Sequence, residues 1–278
     1  MIKIDILKPL EMSLNEFFYG VLRSAKITSA SSDNITVHDS TNLKSIVFIG
    51  SGLSADNSGS VTHGMVTEID FYSSLGGHLA SATGFHLKAV DVAHAVESYQ
   101  STGSHSALSA IMSSQAYELN GSSGADAFAG ADKADRLNGA SGNDVLWGEG
   151  GNDTISGGLG NDQLYGGAGQ DVLTGGGGAD IFIYRSLADS KPGASRDVVS
   201  DFSHAEHDRI DLSAIDASTK LVKDQAFTFI GGADFTHHAG ELHFQHGVLS
   251  GDTNGDGKAD FEIAIQGVTH LMSDDFLL

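Results

Sequence analysis

Asp126, Asp135, Asp144, Asp153, Asp162, Asp171 and Asp180 stand nine residues apart. Each follows by five residues a glycine of an equally spaced series: Gly121, Gly130, Gly139, Gly148, Gly157, Gly166 and Gly175. A second glycine lies three residues after the first in every unit but one, among them Gly142, Gly151, Gly160 and Gly169; the exception is Lys133. Carboxylates repeated at a fixed interval in a glycine-rich chain supply hard oxygen donors, and glycines leave backbone carbonyls free to approach the same point. That is the donor set of Ca²⁺, which takes about 6–8 oxygens at about 2.3–2.6 Å and tolerates irregular geometry, whereas Mg²⁺ demands near-octahedral order. A flexible glycine linker needs no fixed phase between glycine, aspartate and a third position, and here a third position is also fixed. Phe128, Leu137, Leu146, Ile155, Leu164, Leu173 and Phe182 each follow their aspartate by two residues.

The elements that must position these residues follow from the period. Nine residues are too few for a helix pair and suit a strand of about three residues plus a tight turn, with the apolar residue pointing inward and glycine supplying positive φ. Two units complete one coil, which stacks the strands in two parallel sheets. Turns on one side of the coil belong to alternate units, so Asp126, Asp144, Asp162 and Asp180 line one edge and Asp135, Asp153 and Asp171 the other. An aspartate of one turn, with backbone carbonyls of neighbouring turns (those of Gly142, Gly151, Gly160 and Gly169 among them), makes an oxygen cage. The gaps along both edges hold about five ions. Without metal the stacked carboxylates repel, the core is thin and the glycines lose much entropy on folding, so the segment is expected to fold only when metal binds. The second unit, with Lys133, Ala131 and Ala134, is expected to give a weak or empty site.

The nonapeptide resembles the repeats-in-toxin (RTX), or haemolysin-type calcium-binding, repeat. After it, residues 178–184 (GADIFIY) and 196–216 (RDVVSDFSHAEHDRIDLSAID) resemble the segment that closes the β-roll in serralysin-type secreted metalloproteases and the repeat modules of alginate C5-epimerases. The resemblance implies that Asp197, Asp201 and Asp208 close a further calcium site; as bare residues they read equally well as exposed acids near strand ends. Asp252, Asn254, Asp256 and Asp260 copy the first half of an EF-hand loop, but Ile263 stands where the bidentate glutamate belongs and the flanks read as strands. A calcium-binding hairpin loop and a plain Asp/Asn/Gly turn remain open. The final SDDFLL resembles the uncleaved C-terminal signal of type I secretion substrates. The resemblance therefore implies a type I exporter as partner and an extracellular location.

Composition agrees with a cation binder. The 278 residues carry 36 Asp+Glu against 15 Lys+Arg, a net charge of −21, which argues against nucleic acid and anionic membrane surfaces as partners. No cysteine is present, so disulfides, thiolate metal sites and cysteine catalysis are excluded. The N-terminus lacks the apolar core of a secretory signal and no stretch approaches a transmembrane span.

The expected fold is mainly β: a small α+β N-terminal domain over residues 1–118, a parallel β-roll over 119–183 and a β-rich cap over 184–278. In the first domain, residues 45–50 and Val61–Tyr72 read as strands, and 86–98 and 105–115 carry helical spacing. In the cap, Glu241–Gln245 and 260–266 alternate as strands around a turn-rich 251–258. No H-E-x-x-H or G-x-S-x-G occurs. His38, His63, His78, His86, His94 and His105 show no metal-binding spacing, although His86 and His94 are placed to share a helix face. Two classes of function follow: a non-catalytic calcium-binding protein of the cell surface, matrix or host interface, with polysaccharide among its candidate ligands, or a small polysaccharide-modifying enzyme with its site in residues 1–118.

Overall fold

The structure, a computed structural model, describes residues 2–6, 25–30, 34–39, 45–55, 61–72, 78–88, 110, 113–220 and 225–278. It divides into two compact units, Met1–Lys133 and Ala134–Leu278. Among the described residues no helix is long and apolar enough to cross a membrane.

The first unit is built on β1 (Ile2–Ile6), β2 (Ala25–Ala30), β3 (Asn34–Asp39), β4 (Ser45–Ala55), β5 (Val61–Tyr72), β6 (His78–Lys88), β7 (Tyr117–Asn120) and β8 (Ala127–Ala129). β2 to β6 form an antiparallel meander, and β1 inserts beside β6 and pairs in parallel with β7. The β-branched and aromatic runs at 45–50 and Val61–Tyr72 are strands, as their composition predicts. Ile46 and Phe48 are buried with Val47 between them on the other face, and Phe48 stands opposite the buried Ile69. At the bulge after Ile49 the backbones approach so closely that a Cβ on Gly50 would lie 1.9 Å from the Met65 carbonyl oxygen, which only glycine allows. Of the expected helix over 86–98, residues 86–88 are the end of β6. The remainder of that segment, with His94, lies outside the described residues, as do 105–109 and 111–112 of the other.

The second unit is the roll and its cap. Its repeat strands are β9 (Arg136–Ser141), β10 (Val145–Trp147), β11 (Thr154–Leu159), β12 (Gln163–Tyr165), β13 (Val172–Gly177) and β14 (Ile181–Ile183). β9, β11 and β13 pair in parallel in one sheet, and β10, β12 and β14 in the other. The register places Thr154 opposite Arg136 and Gln163 opposite Val145, so two nonapeptides complete one turn, as the period requires. Strands of three residues occur on one side only. On the other the strands run to six residues, and the pairing resumes past Gly157, as Gly158 pairs with both Ala140 and Gly176. Leu137, Leu146, Ile155, Leu164, Leu173 and Phe182 are all buried and fill the narrow space between the sheets.

The cap extends both sheets. β15 (Asp197–Val199) follows β13 and β16 (Arg209–Asp211) follows β14, both parallel. β17 (Thr228–Phe229), β18 (Glu241–Gln245), β19 (Val248–Asp252) and β20 (Phe261–Ile265) then complete the first sheet, with β18–β19–β20 an antiparallel meander and β20 parallel to β15. β21 (Phe276–Leu277) ends the second sheet beside β16. Val199, Ile210, Ile263, Ile265 and Phe276 carry the roll's interior into the cap.

Candidate metal centre

The aspartates form two hydrogen-bonded ladders. On one edge the Asp144 backbone N–H donates to Asp162 Oδ1 at 2.8 Å and Asp162 N–H to Asp180 Oδ1 at 2.9 Å. On the other, Asp135 N–H donates to Asp153 Oδ1 at 2.7 Å and Asp153 N–H to Asp171 Oδ1 at 2.8 Å. Each aspartate thus fixes the turn one coil before it with a single carboxylate oxygen. These rungs put Asp144, Asp162 and Asp180 on one edge and Asp135, Asp153 and Asp171 on the other, as a two-unit coil requires.

In several of these aspartates the second oxygen holds no donor. Oδ2 of Asp153, Asp162, Asp171, Asp180 and Asp197 is buried and has no hydrogen-bond partner. A buried carboxylate oxygen without a donor is strongly disfavoured unless a cation meets it. Space beside these oxygens exists only because the first residue of each unit is glycine. A Cβ on Gly148 would lie 2.4 Å from Asp153 Oδ2 and 2.4 Å from the carbonyl oxygen of Gly166. On Gly157 it would lie 2.2 Å from Asp162 Oδ2 and 2.7 Å from the Gly175 carbonyl, and Gly139 repeats the pattern with Asp144 and Gly157. A carboxylate oxygen of one turn and a carbonyl oxygen of the next therefore border one small opening, repeated up the coil. The second glycines, Gly142, Gly151, Gly160 and Gly169, turn the chain at φ of +126°, +129°, +128° and +155° and let adjacent turns stack backbone on backbone. Among the described residues no three His, Cys, Asp or Glu side chains converge on a point. An ion held here draws on side chains sparingly and on carbonyls for the rest, which suits a large hard cation.

Burial pushes these carboxyls up. Asp153 and Asp197 rise to about 8, Asp180 to about 7 and Asp171 to about 6, and Asp162 is raised in the same direction. In each case desolvation is the largest cause and the backbone N–H on Oδ1 opposes it. For Asp153, Asp180 and Asp197, neighbouring ladder carboxylates add to the rise.

Both ladders continue past the repeat. Asp171 N–H donates to Asp197 Oδ1 at 2.9 Å, and Asp180 N–H to Asp208 Oδ1 at 3.0 Å. Asp197 thus takes a rung although it stands outside the nine-residue phase. Asp189 is in phase, nine after Asp180, yet takes no rung. Its Oδ2 accepts the N–H groups of Arg185 and Ser186, and Tyr165 hydrogen-bonds to it. Asp208 Oδ2 accepts Ser203 N–H. Asp201 spends both oxygens on backbone, accepting Gly175 N–H and Gly176 N–H at 2.9 Å each. Asp126 Oδ2 accepts both donors of Ser122. In the β19–β20 hairpin Asp252 accepts Gly255 N–H and Gly257 N–H, Asp256 accepts Lys258 N–H, and Asp260 gathers the Thr253 and Asn254 donors. One set of rungs escaped the sequence reading. Oδ1 of Asn143, Asn152 and Asn161 accepts the N–H of Asn161, Gln170 and Ala179 at 2.9–3.0 Å, an outer ladder signalled by the repeated Gly-Asn-Asp triplet.

Residues 116–278, more than half of the chain, match the family described as Peptidase M10 serralysin C terminal. The chain belongs to this family. In the serralysin C-terminal family the repeats are of the calcium-binding RTX type, in keeping with the coil geometry. Solved structures similar to this serralysin C-terminal chain include two subunits of the Azotobacter vinelandii mannuronan C5-epimerase. The AlgE6R3 subunit is 25% identical with a TM-score of 0.31, over 58% of this chain and 77% of its own. The AlgE6R2 subunit is 28% identical with a TM-score of 0.33, over 54% of this chain and 90% of its own. No curated protein matches the chain.

Proposed function

We propose that the roll holds calcium along both edges, through Oδ2 of the ladder aspartates from Asp135 to Asp180 and of Asp197, together with glycine carbonyls, and that this binding folds the roll. The single observation that carries the reading is the row of buried, unpartnered Oδ2 atoms of Asp153, Asp162, Asp171, Asp180 and Asp197, bordered at Asp153 and Asp162 by glycine carbonyl oxygens. Unneutralised, these carboxylates oppose the fold that buries them. Neutralised by a divalent cation, the same oxygens cross-link consecutive turns, and binding energy becomes folding energy. About five ions fit the gaps of the repeat. Asp201, Asp208 and the 252–260 loop act as scaffold in this reading, because their oxygens already hold backbone donors.

Calcium-coupled folding suits a protein that leaves a low-calcium compartment unfolded through a type I exporter and folds outside. Residues 1–118 then carry a non-catalytic activity at a surface, matrix or host. Far-ultraviolet circular dichroism of the full chain tests the folding claim. Metal-free protein should lose much of its β signal, Ca²⁺ should restore it and equal Mg²⁺ should do far less. A spectrum indifferent to chelation would refute it. Slower appearance of the protein outside cells when external calcium is withdrawn, at unchanged synthesis, tests the export claim.

A further inference from the structure

Asn143, Asn152 and Asn161 each stand immediately before a ladder aspartate and hold no place in the proposed ligand set. Their rungs run the opposite way from those of the aspartates. Asp144 N–H reaches forward to Asp162 Oδ1 at 2.8 Å, while Asn161 N–H reaches back to Asn143 Oδ1 at 2.9 Å. The other edge repeats the pair, with Asp153 N–H on Asp171 Oδ1 at 2.8 Å and Gln170 N–H on Asn152 Oδ1 at 3.0 Å. A third pair sets Asp162 N–H on Asp180 Oδ1 and Ala179 N–H on Asn161 Oδ1, both at 2.9 Å. Each donor is a backbone N–H, so the acceptor is the amide oxygen of the asparagine. Successive coils are thus clipped at two adjacent residues by bonds of opposite direction. One coil keeps only half of the clip. Asp135 N–H still reaches Asp153 Oδ1 at 2.7 Å, but the Ala134 side chain offers no acceptor to Asn152 N–H. Gln170, at the asparagine position, turns its side chain elsewhere and donates from Nε2 to the Ala194 carbonyl at 2.7 Å.

A single rung lets a turn tilt about it. Two opposed rungs on neighbouring residues fix both the spacing of the turns and their tilt. The openings of the roll lie between the clipped coils. Asp162 Oδ2 and the Gly175 carbonyl border the opening between the coils that the Asn161 clip joins, and Asp153 Oδ2 and the Gly166 carbonyl that of the Asn152 clip. Ions differ in what they ask of such an opening. Ca²⁺ takes oxygens at about 2.3–2.6 Å, whereas Mg²⁺ needs about 2.0–2.1 Å and must draw its ligands inward. A frame that cannot contract admits the first and refuses the second. We infer that Asn143, Asn152 and Asn161 are specificity-determining residues of the roll, whose outer rungs hold the coil spacing at the size of calcium without touching the ion. The amide suits the task because it has the reach of a carboxylate and adds no charge beside the buried row of carboxylates. The inference rests on the calcium reading of the roll and deepens it.

The test is a Ca²⁺ titration of the full chain with Mg²⁺ as competitor, followed by circular dichroism, for the unaltered protein, Asn152→Ala, Asn161→Ala, Asn161→Asp and Ala134→Asn. The quantity read is the ratio of the calcium to the magnesium binding constant. Each alanine variant loses one neutral hydrogen bond, so its calcium constant should weaken about 2–10-fold. Its magnesium constant should hold or tighten, so the ratio falls by at least the same factor. Asn161→Asp keeps the acceptor, and its added charge acts on both ions, so the parent ratio should return. Ala134→Asn supplies the missing acceptor to Asn152 N–H and should raise the ratio above that of the parent. Equal weakening of both ions in the alanine variants would overturn the inference, since the rungs would then only stabilise the fold. Magnesium that competes with neither parent nor alanine variant counts as an unmoved ratio and overturns it too. Should the alanine variants fail to fold in saturating calcium, Ala134→Asn decides, and a parent ratio there is fatal. If the unaltered protein binds no calcium, the roll reading itself fails, a result separable from the others.

Discussion

Replacing Gly157 with alanine should cripple calcium-coupled folding, whereas the same change at Gly177 should be harmless. At Gly157 the added methyl would sit 2.2 Å from Asp162 Oδ2, 2.7 Å from the Gly175 carbonyl oxygen and 2.8 Å from Asp162 Cβ. All three are closer than a real Cβ contact. The carbonyl belongs to the backbone, and the carboxylate cannot swing aside without releasing Asp144 N–H, held by its Oδ1 at 2.8 Å. Overpacking of this kind costs about 1–3 kcal/mol, and it fills the opening where the proposed ion's oxygens meet. At about 1.4 kcal/mol per tenfold, that alone is roughly a 5–150-fold loss in the folding-linked binding constant. At Gly177 the nearest atoms are Leu159 Cδ2 at 3.5 Å and Glu206 Oε1 at 3.8 Å, ordinary contacts, and φ is not positive. Alanine there should be neutral or stabilise by about 0.4–1 kcal/mol through the unfolded chain. The pair is read by calcium titration of the fluorescence of Trp147, the sole tryptophan, which lies in β10, with circular dichroism alongside. Indistinguishable midpoints for the two variants would refute the close-approach argument.

Acidity should act with opposite sign on the metal-free and calcium-loaded chains. The ladder carboxyls have folded values raised above the ordinary 3.8, to about 8 for Asp153 and Asp197, so they favour the metal-free fold at low pH, and this contribution is lost as pH rises through about 8. Metal-free protein should therefore gain β signal on acidification from about pH 8 to about pH 5, while calcium affinity falls over the same range because protons compete for the same oxygens. Asp153→Ala and Asp162→Ala should each weaken calcium binding and its cooperativity more than Asp135→Ala, whose unit has Lys133 in place of the turn glycine; equal losses in calorimetry would contradict this. Asp201→Ala should destabilise the calcium-loaded fold by about 1.5–3 kcal/mol, having removed a charged acceptor from two N–H groups, yet leave the number of bound ions unchanged. A lower ion count would make Asp201 a ligand.

Much of the site is legible in the sequence because the repeat is locally self-determining. Each nonapeptide meets the same neighbours as the one before it. One phase relation between glycine, aspartate and an apolar residue therefore dictates the coil of two units, the inward row from Leu137 to Phe182 and the assignment of Asp153 and Asp171 to one edge and Asp162 and Asp180 to the other. Where the repeat stops, that logic stops. Asp189 keeps the nine-residue phase and Asp197 does not, but the tertiary structure gives the rung to Asp197, while Asp189 turns onto the N–H groups of Arg185 and Ser186. Asp201 and Asp208 look alike in sequence, yet one lies across two glycine N–H groups and the other extends a ladder. Their roles depend on partners 25–28 residues away. Likewise the Asp252–Asp260 loop resembles a cation loop in its residue types, and only the strands that flank it decide that its carboxylates turn inward onto its own backbone. A periodic chain specifies its contacts through its period. An aperiodic one leaves its carboxylates undecided until the fold shows which backbone donors reach them first.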